Sequence, residues 1–169
     1  TVIIPLLNGL DIEERIHNIL PEQEVWKGCV YIGSRLTEPG VIEKFSLKER
    51  IFFGNKDANK DKQTELLKLL MYARLNAFNP ADIDLRIWKK FFMISTAATA
   101  TSFFNQPIDE VLAQHIDLFI ALGTELKSVA EAMGVRLPDD IVYTSIEMQK
   151  MMPAGSTTSM HSDFLAGKK

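Results

Sequence analysis

Leu85–Phe104, LRIWKKFFMISTAATATSFF, carries two lysines, Lys89 and Lys90, inside a run that is otherwise apolar or small. The run predicts a helix that is hydrophobic on nearly every face, and such a helix is central to its domain. Its second half, STAATATS, is rich in small residues that let another backbone or a ligand approach closely. A lysine in such company snorkels to solvent, pairs with an acid, or lowers its pKa from about 10.4 and becomes a useful proton donor. Neighbouring residues point about 100° apart on a helix, so the two lysines do different work. Lys90 shares a face with Ile87, Ile94 and Ala97; Lys89 shares one with Arg86, Met93 and Thr96. Periodicity does not choose between them, and snorkelling at the amino end of the helix is the plain alternative.

Outward from this helix the two halves of the chain differ. After Asp84 no strand pattern is visible. Pro107 opens a helix from Ile108 to Gly123 or beyond, Thr124 to Met133 continues it or stands separately, and Pro138 precedes another from Asp139 to Met151. The methionines of EMQKMMP read as core. Before Asp84 the pattern is mixed. Val2 to Leu7 predicts a buried strand of a parallel sheet, closed by Asn8-Gly9. Asp11 to Leu20 predicts an amphipathic helix with Ile12, Ile16 and Ile19 on one stripe. Val25 to Arg35, Val41 to Phe45 and Glu49 to Phe53 predict strands, with Glu38-Pro39-Gly40 in type II turn order. Gln63 to Leu75 predicts a helix burying Leu66, Leu67, Leu70 and Met71, and Phe78 to Asp84 a crossing between domains. A buried parallel strand at residue 2 needs neighbours on both sides, so the chain reads as a piece of a longer protein.

Composition narrows the functional classes. The 169 residues are 46% hydrophobic and 24% charged, enough for one core or two small ones. A net charge of -3, with no basic run among aromatics, argues against nucleic acid. No apolar run nears the roughly 20 residues of a membrane span, and the first residues lack the pattern of a signal peptide. The single cysteine, Cys29, fits a reducing, cytoplasmic setting. There is no metal-ligand spacing, nucleophile elbow or P-loop.

Three places could carry chemistry. Asn8 stands at the carboxyl end of a parallel strand, where open α/β sheets bind ligands, although Asn-Gly is also an ordinary turn. The lysine pair is the second. The third is STTSMHSD, Ser156 to Asp163, with Thr158 or Ser159 as helix N-cap and with hydroxyl and N–H groups suited to a carboxylate or phosphate. His17, His115 and His161 do not cluster in sequence; His17 and His115 read as helix-surface residues, and His161 alone near the hydroxyls is weak evidence.

LLNG at Leu6 to Gly9, IWKK at Ile87 to Lys90 and TTSMHSDFLAGKK at Thr157 to Lys169 occur in an order that resembles the ketopantoate reductase (2-dehydropantoate 2-reductase) family; EPGVIE at Glu38 to Glu43 adds to the likeness. The resemblance implies an α/β remnant of a Rossmann domain over residues 1–81. A helical domain of the 6-phosphogluconate dehydrogenase C-terminal-like type would follow over residues 82–169. It implies NADPH-dependent reduction of a small 2-oxo acid, ketopantoate to pantoate in pantothenate and coenzyme A biosynthesis, at a cleft between the domains. The family's tryptophan-x-lysine falls on Trp88 and Lys90, making Lys90 the proton donor. Its substrate-holding serine falls on Ser159, with Ser156 at a nearby polar position, and its asparagine on Asn8, between nicotinamide and substrate. The glycine-rich dinucleotide loop would precede Thr1 and an active-site glutamate would follow Lys169, so these residues alone are expected to be inactive and to bind NADPH weakly. Family asparagines four and eight residues after the lysine are here Ile94 and Ala98, which points to a reductase of a different 2-oxo acid as the alternative. A non-catalytic binding or assembly module is the third reading. No metal is expected, and an open sheet edge would invite two copies to pair as a homodimer.

Overall fold

The computed structural model describes residues 1–46 and 49–168. It divides into two compact units, residues 1–87 and residues 88–169. The first is α/β and the second is helical, as expected.

In the first unit, β1 (Val2–Ile3) runs parallel to β2 (Glu24–Val25), with Val2 opposite Glu24 and Ile3 opposite Val25. Helix α1 (Ile12–Ile19) is the crossover between them. The strand is shorter and wetter than its sequence predicts: Pro5 has no N–H for a ladder, and Leu6 and Leu7 are exposed. On α1, Ile12 and Ile16 are half-buried but Ile19 faces solvent. The predicted strand Val25 to Arg35 is in fact three pieces. β3 (Lys27–Tyr31) follows β2 after Trp26, and β4 (Ser34–Glu38) begins after a break at Ile32-Gly33. The break is set by Gly33, whose carbonyl accepts from the amides of Phe45 and Ser46 at 3.0 and 3.2 Å. The Phe45 ring also lies where a Cβ at Gly33 would stand.

Strand β4 forms a hairpin with β5 (Val41–Lys44), and Gly40 takes the positive φ of 84° that a type II turn demands. β3 pairs antiparallel with β6 (Arg50–Gly54), which also pairs in parallel with β7 (Ala77–Phe78). The two residues of β7 are too few for a period, so the predicted domain crossing at Phe78 missed a strand. Trp26, Phe53 and Ala77 form the core here, with Leu66, Leu67 and Leu70 of α2 (Lys60–Tyr72) packed on it. Met71, predicted to be buried, is exposed. α2 starts three residues before its predicted start at Gln63, because Asn59 caps it, accepting from the amides of Asp61 (2.8 Å) and Lys62 (3.1 Å). Gln63 is buried with its amide satisfied: it donates to the carbonyls of Asn55 and Ala58 and accepts from Asn55 N and Asn79 Nδ2.

Helix α3 (Ile83–Phe104) is the long apolar helix of the sequence. Its first turn carries Asp84, which accepts from Lys27 at 2.6 Å and pairs with Lys56 at 2.7 Å; Lys27 also pairs with Glu13 at 3.4 Å. Burial works against the charge of Asp84, but the hydrogen bonds and charges of Lys27 and Lys56 more than offset it and hold its carboxyl below the usual range. Burial likewise opposes the Lys27 ammonium, yet Asp84 and Glu13 raise it, and the hydrogen bond to Asp84 raises Lys56. A depressed carboxylate adds stability that is complete above its unfolded pKa of about 4 and is lost as pH falls through the folded value. Raised amines add stability that is complete below about 10.4 and lost as pH rises through their folded values. Asp84→Asn should therefore cost about 1–2 kcal/mol at neutral pH, with the gap from wild type closing in acid. Denaturant titrations across pH check this; a gap that stays constant down to acid would refute it.

In the second unit α3 is followed by α4 (Ile108–Gln114), α5 (Ile116–Ala132), α6 (Ile141–Lys150) and α7 (Ser159–Leu165). The predicted helix through Gly123 is broken at His115, whose φ of -136° ends α4 and opens α5. His115 is no plain surface residue: its ring stacks on Phe104 at 3.7 Å. Ala97 and Ala100 of α3 join Ile108, Val111, Leu112, Phe119 and Ile146 in one core. The small residues of STAATATS thus serve close helix packing. Met151 and Met152, expected in a core, are exposed beyond the end of α6.

Candidate functional site

The expected site residues are distributed over both units, and each is placed within its own. In the first, Trp26 N donates to the Ile3 carbonyl at 2.9 Å, and Gly28 lets β3 press against the chain that leaves β1. A Cβ at Gly28 would stand 2.9 Å from the Pro5 carbonyl oxygen, which cannot yield as a side chain would. This fixes the stem of Leu6 to Gly9. Asn8 is exposed, and Gly9 follows at φ 132°, so the dipeptide is a strand-to-helix turn with an accessible carboxamide.

In the second unit Lys90 is only 8% exposed, while its neighbour Lys89 is half-buried. Trp88, two residues earlier and about 200° round the helix, is buried and meets Phe91 edge-on at 6.0 Å. Arg86 of the same helix is exposed and Lys89 only half-buried, so it is tertiary packing that selects Lys90 for burial. Ile94 and Ala98, one and two turns on, are half-buried.

The hydroxyl segment is built more firmly than a free loop. Ile108 N donates to the Ser156 carbonyl at 2.9 Å, and Gly155 N donates to both Asp109 carboxylate oxygens at 3.2 Å. The Ser156 hydroxyl donates to the Pro153 carbonyl at 2.5 Å. Of the two candidate caps, Thr158 is the N-cap of α7: its hydroxyl accepts from His161 N at 3.3 Å. Ser159 is the first residue of that helix, with an exposed side chain. Thr158 also meets Thr101 of α3, Oγ1 to Oγ1, at 2.9 Å. Eleven residues separate Lys90 from Thr101. That is three helical turns, so the two stand on one face about 16 Å apart along the axis. Lys90 and the hydroxyl segment therefore address the same side of α3, with Ile94 and Ala98 between them.

Thr101 and Asn105 carry no signal in the sequence, and His161 is there only weak evidence. His161 is buried, its Nδ1 is 2.5 Å from Thr157 Oγ1, and its Nε2 is 2.9 Å from Asn105 Oδ1. The available signal was a histidine four residues after a threonine at a helix start, a spacing that lets the two side chains meet. Among the described residues no group of histidine, cysteine or acidic side chains is arranged to hold a metal ion. No described helix is long and apolar enough to cross a membrane.

Comparison with known proteins matches residues 82–169 to the family model "Ketopantoate reductase PanE/ApbA C terminal" and residues 1–58 to "Ketopantoate reductase PanE/ApbA". The chain is 28% identical to the uncharacterized oxidoreductase YkpB of Bacillus subtilis (strain 168), covering 99% of this chain and 56% of that protein. The crystal structure of 2-dehydropantoate 2-reductase from Porphyromonas gingivalis W83 is 36% identical, with a TM-score of 0.83, over 99% of this chain and 63% of that one. A complex of D-mandelate dehydrogenase with NADH shares the fold at 19% identity and a TM-score of 0.83, over 98% of this chain and 57% of its own. The chain spans about half the length of the curated relatives it matches.

Proposed function

Because this chain belongs to the ketopantoate reductase family, we propose that the whole protein reduces a 2-oxo acid, ketopantoate foremost, to the 2-hydroxy acid, with Lys90 as proton donor. The observation that supports this most is a lysine only 8% exposed in an apolar helix, the residue on which the tryptophan-x-lysine resemblance falls. In this reading residues 1–81 belong to the cofactor domain and residues 82–169 to the substrate domain of a cytoplasmic enzyme.

A nicotinamide cofactor, NADPH in this proposal, would supply the hydride that adds to the carbonyl carbon. Of the described residues Asn8 suits its nicotinamide end: the carboxamide is exposed and both donates and accepts hydrogen bonds. As the carbonyl carbon is reduced, negative charge gathers on its oxygen. The Lys90 ammonium would hold that oxygen and pass it a proton, leaving a neutral amine that regains its proton from solvent. Ser159 would donate to the substrate carboxylate. Ser156 stands beside it in this proposal, and its hydroxyl would turn away from the Pro153 carbonyl to take part.

Ile94 and Ala98 favour a second reading. They offer no hydrogen bond along the stretch of α3 between Lys90 and the hydroxyl segment, so an oxo acid with an apolar side chain would lose less there than one with a hydroxyl. Assay of the whole protein with NADPH and NADH against ketopantoate and against branched and aromatic 2-oxo acids separates the two. Ketopantoate should have the highest kcat/KM; a preference of about tenfold or more for an apolar oxo acid would select the second reading. No turnover of any 2-oxo acid would sink both and leave a binding module.

A further inference from the structure

We propose that His161 is a positioning residue of this site, holding the hydroxyl segment on α3 and so setting where Ser159 stands relative to Lys90; this rests on the reading that both residues serve one 2-oxo acid. Of the three histidines it is the buried one, 3% exposed, and both ring nitrogens are engaged. The directions of the hydrogen bonds follow from proton counting. Asn105 Oδ1 only accepts, so Nε2 carries the proton and donates to it. In the tautomer with the proton on Nε2, Nδ1 accepts from the Thr157 hydroxyl. Thr101 gives its hydroxyl proton to the Ala97 carbonyl at 2.8 Å, so Thr158 donates to Thr101 while accepting from His161 N.

Two links therefore run from the segment before Ser159 to the carboxyl end of α3. One passes through Thr158 to Thr101, and the other through His161 to Asn105. Asn105 itself sits just past the helix at φ 54°, a left-handed conformation that asparagine tolerates. The segment is already tied to α4 at Gly155 and Ser156; the two links to α3 fix the residues that follow, next to Ser159. None of these four side chains need touch the substrate to decide where Ser159 points.

The test is steady-state kinetics of the whole protein with its best 2-oxo acid, beside thermal melting. His161→Leu should raise KM for the oxo acid about tenfold, the value of one lost anchor, with KM for the nicotinamide cofactor unchanged. His161→Gln places an amide nitrogen where Nε2 stands, keeps the Asn105 link and should recover most of that loss. Asn105→Gly accepts the backbone conformation, removes only the acceptor, and should match His161→Leu, with the double variant no worse than either single one. If His161→Leu does not fold, Asn105→Gly and His161→Gln carry the test. A lowered melting temperature with unmoved KM, or a glutamine no better than leucine, overturns the proposal while the reductase reading stands. A wild type that reduces no 2-oxo acid overturns both.

Discussion

Lys90→Ala in the whole protein should lower kcat by about 10²–10⁴-fold, the range for a lost general acid, whereas Lys89→Ala should stay close to wild type. The contrast is built into α3. The two ammonium groups leave the helix about 100° apart, and Lys90 is buried while Lys89 is half-exposed. Only one of them can face a carbonyl oxygen held along the Ile94 and Ala98 side. Lys90→Met, which keeps the length of the side chain without its charge, should lose as much turnover as Lys90→Ala with a smaller change in melting temperature. That pair of variants separates lost chemistry from lost packing. Equal losses at positions 89 and 90 would end the assignment of the proton donor. A slow wild type at every pH, with Lys90→Ala no slower, would end the reductase mechanism.

Phe92→Ala should cost the helical unit about 3–5 kcal/mol, the largest stability effect foreseen in this half of the chain. Phe92 is fully buried, and its ring edge lies 3.2 Å from where a Cβ at Gly123 of α5 would stand, with the Val142 methyls of α6 beside it. The glycine lets α5 close on the ring, so truncating the ring leaves a void that three helices line and none can fill alone. For a unit of this size the melting temperature should drop by more than about 10 °C. Chemical denaturation of Phe92→Ala against wild type measures the cost; a loss under about 1 kcal/mol would mean that the helices collapse onto the gap. Phe92 lies two residues from Lys90, so the same variant should also weaken turnover at temperatures where it remains folded.

The sequence by itself determined the division into a mixed half and a helical half, the two-residue hairpin turn at Pro39-Gly40, and the course of the long helix. These are local properties: hydrophobic period, turn residues and prolines act within a few positions of themselves. The resemblance in LLNG, IWKK and TTSMHSDFLAGKK carried the family, and all but Lys169 of these motifs lies within the described residues. What the tertiary structure decided was burial and partnership. Period alone could not say which lysine of Lys89-Lys90 is enclosed, because on a helix apolar all round every face looks buried. It could not find β7, whose two residues become a strand only when β6 lies beside them. Nor could it join Thr101 to Thr158 or Asn105 to His161, pairs 57 and 56 residues apart. A hydrogen bond between distant residues leaves no period in the sequence, since only the folded backbone brings the two partners within reach.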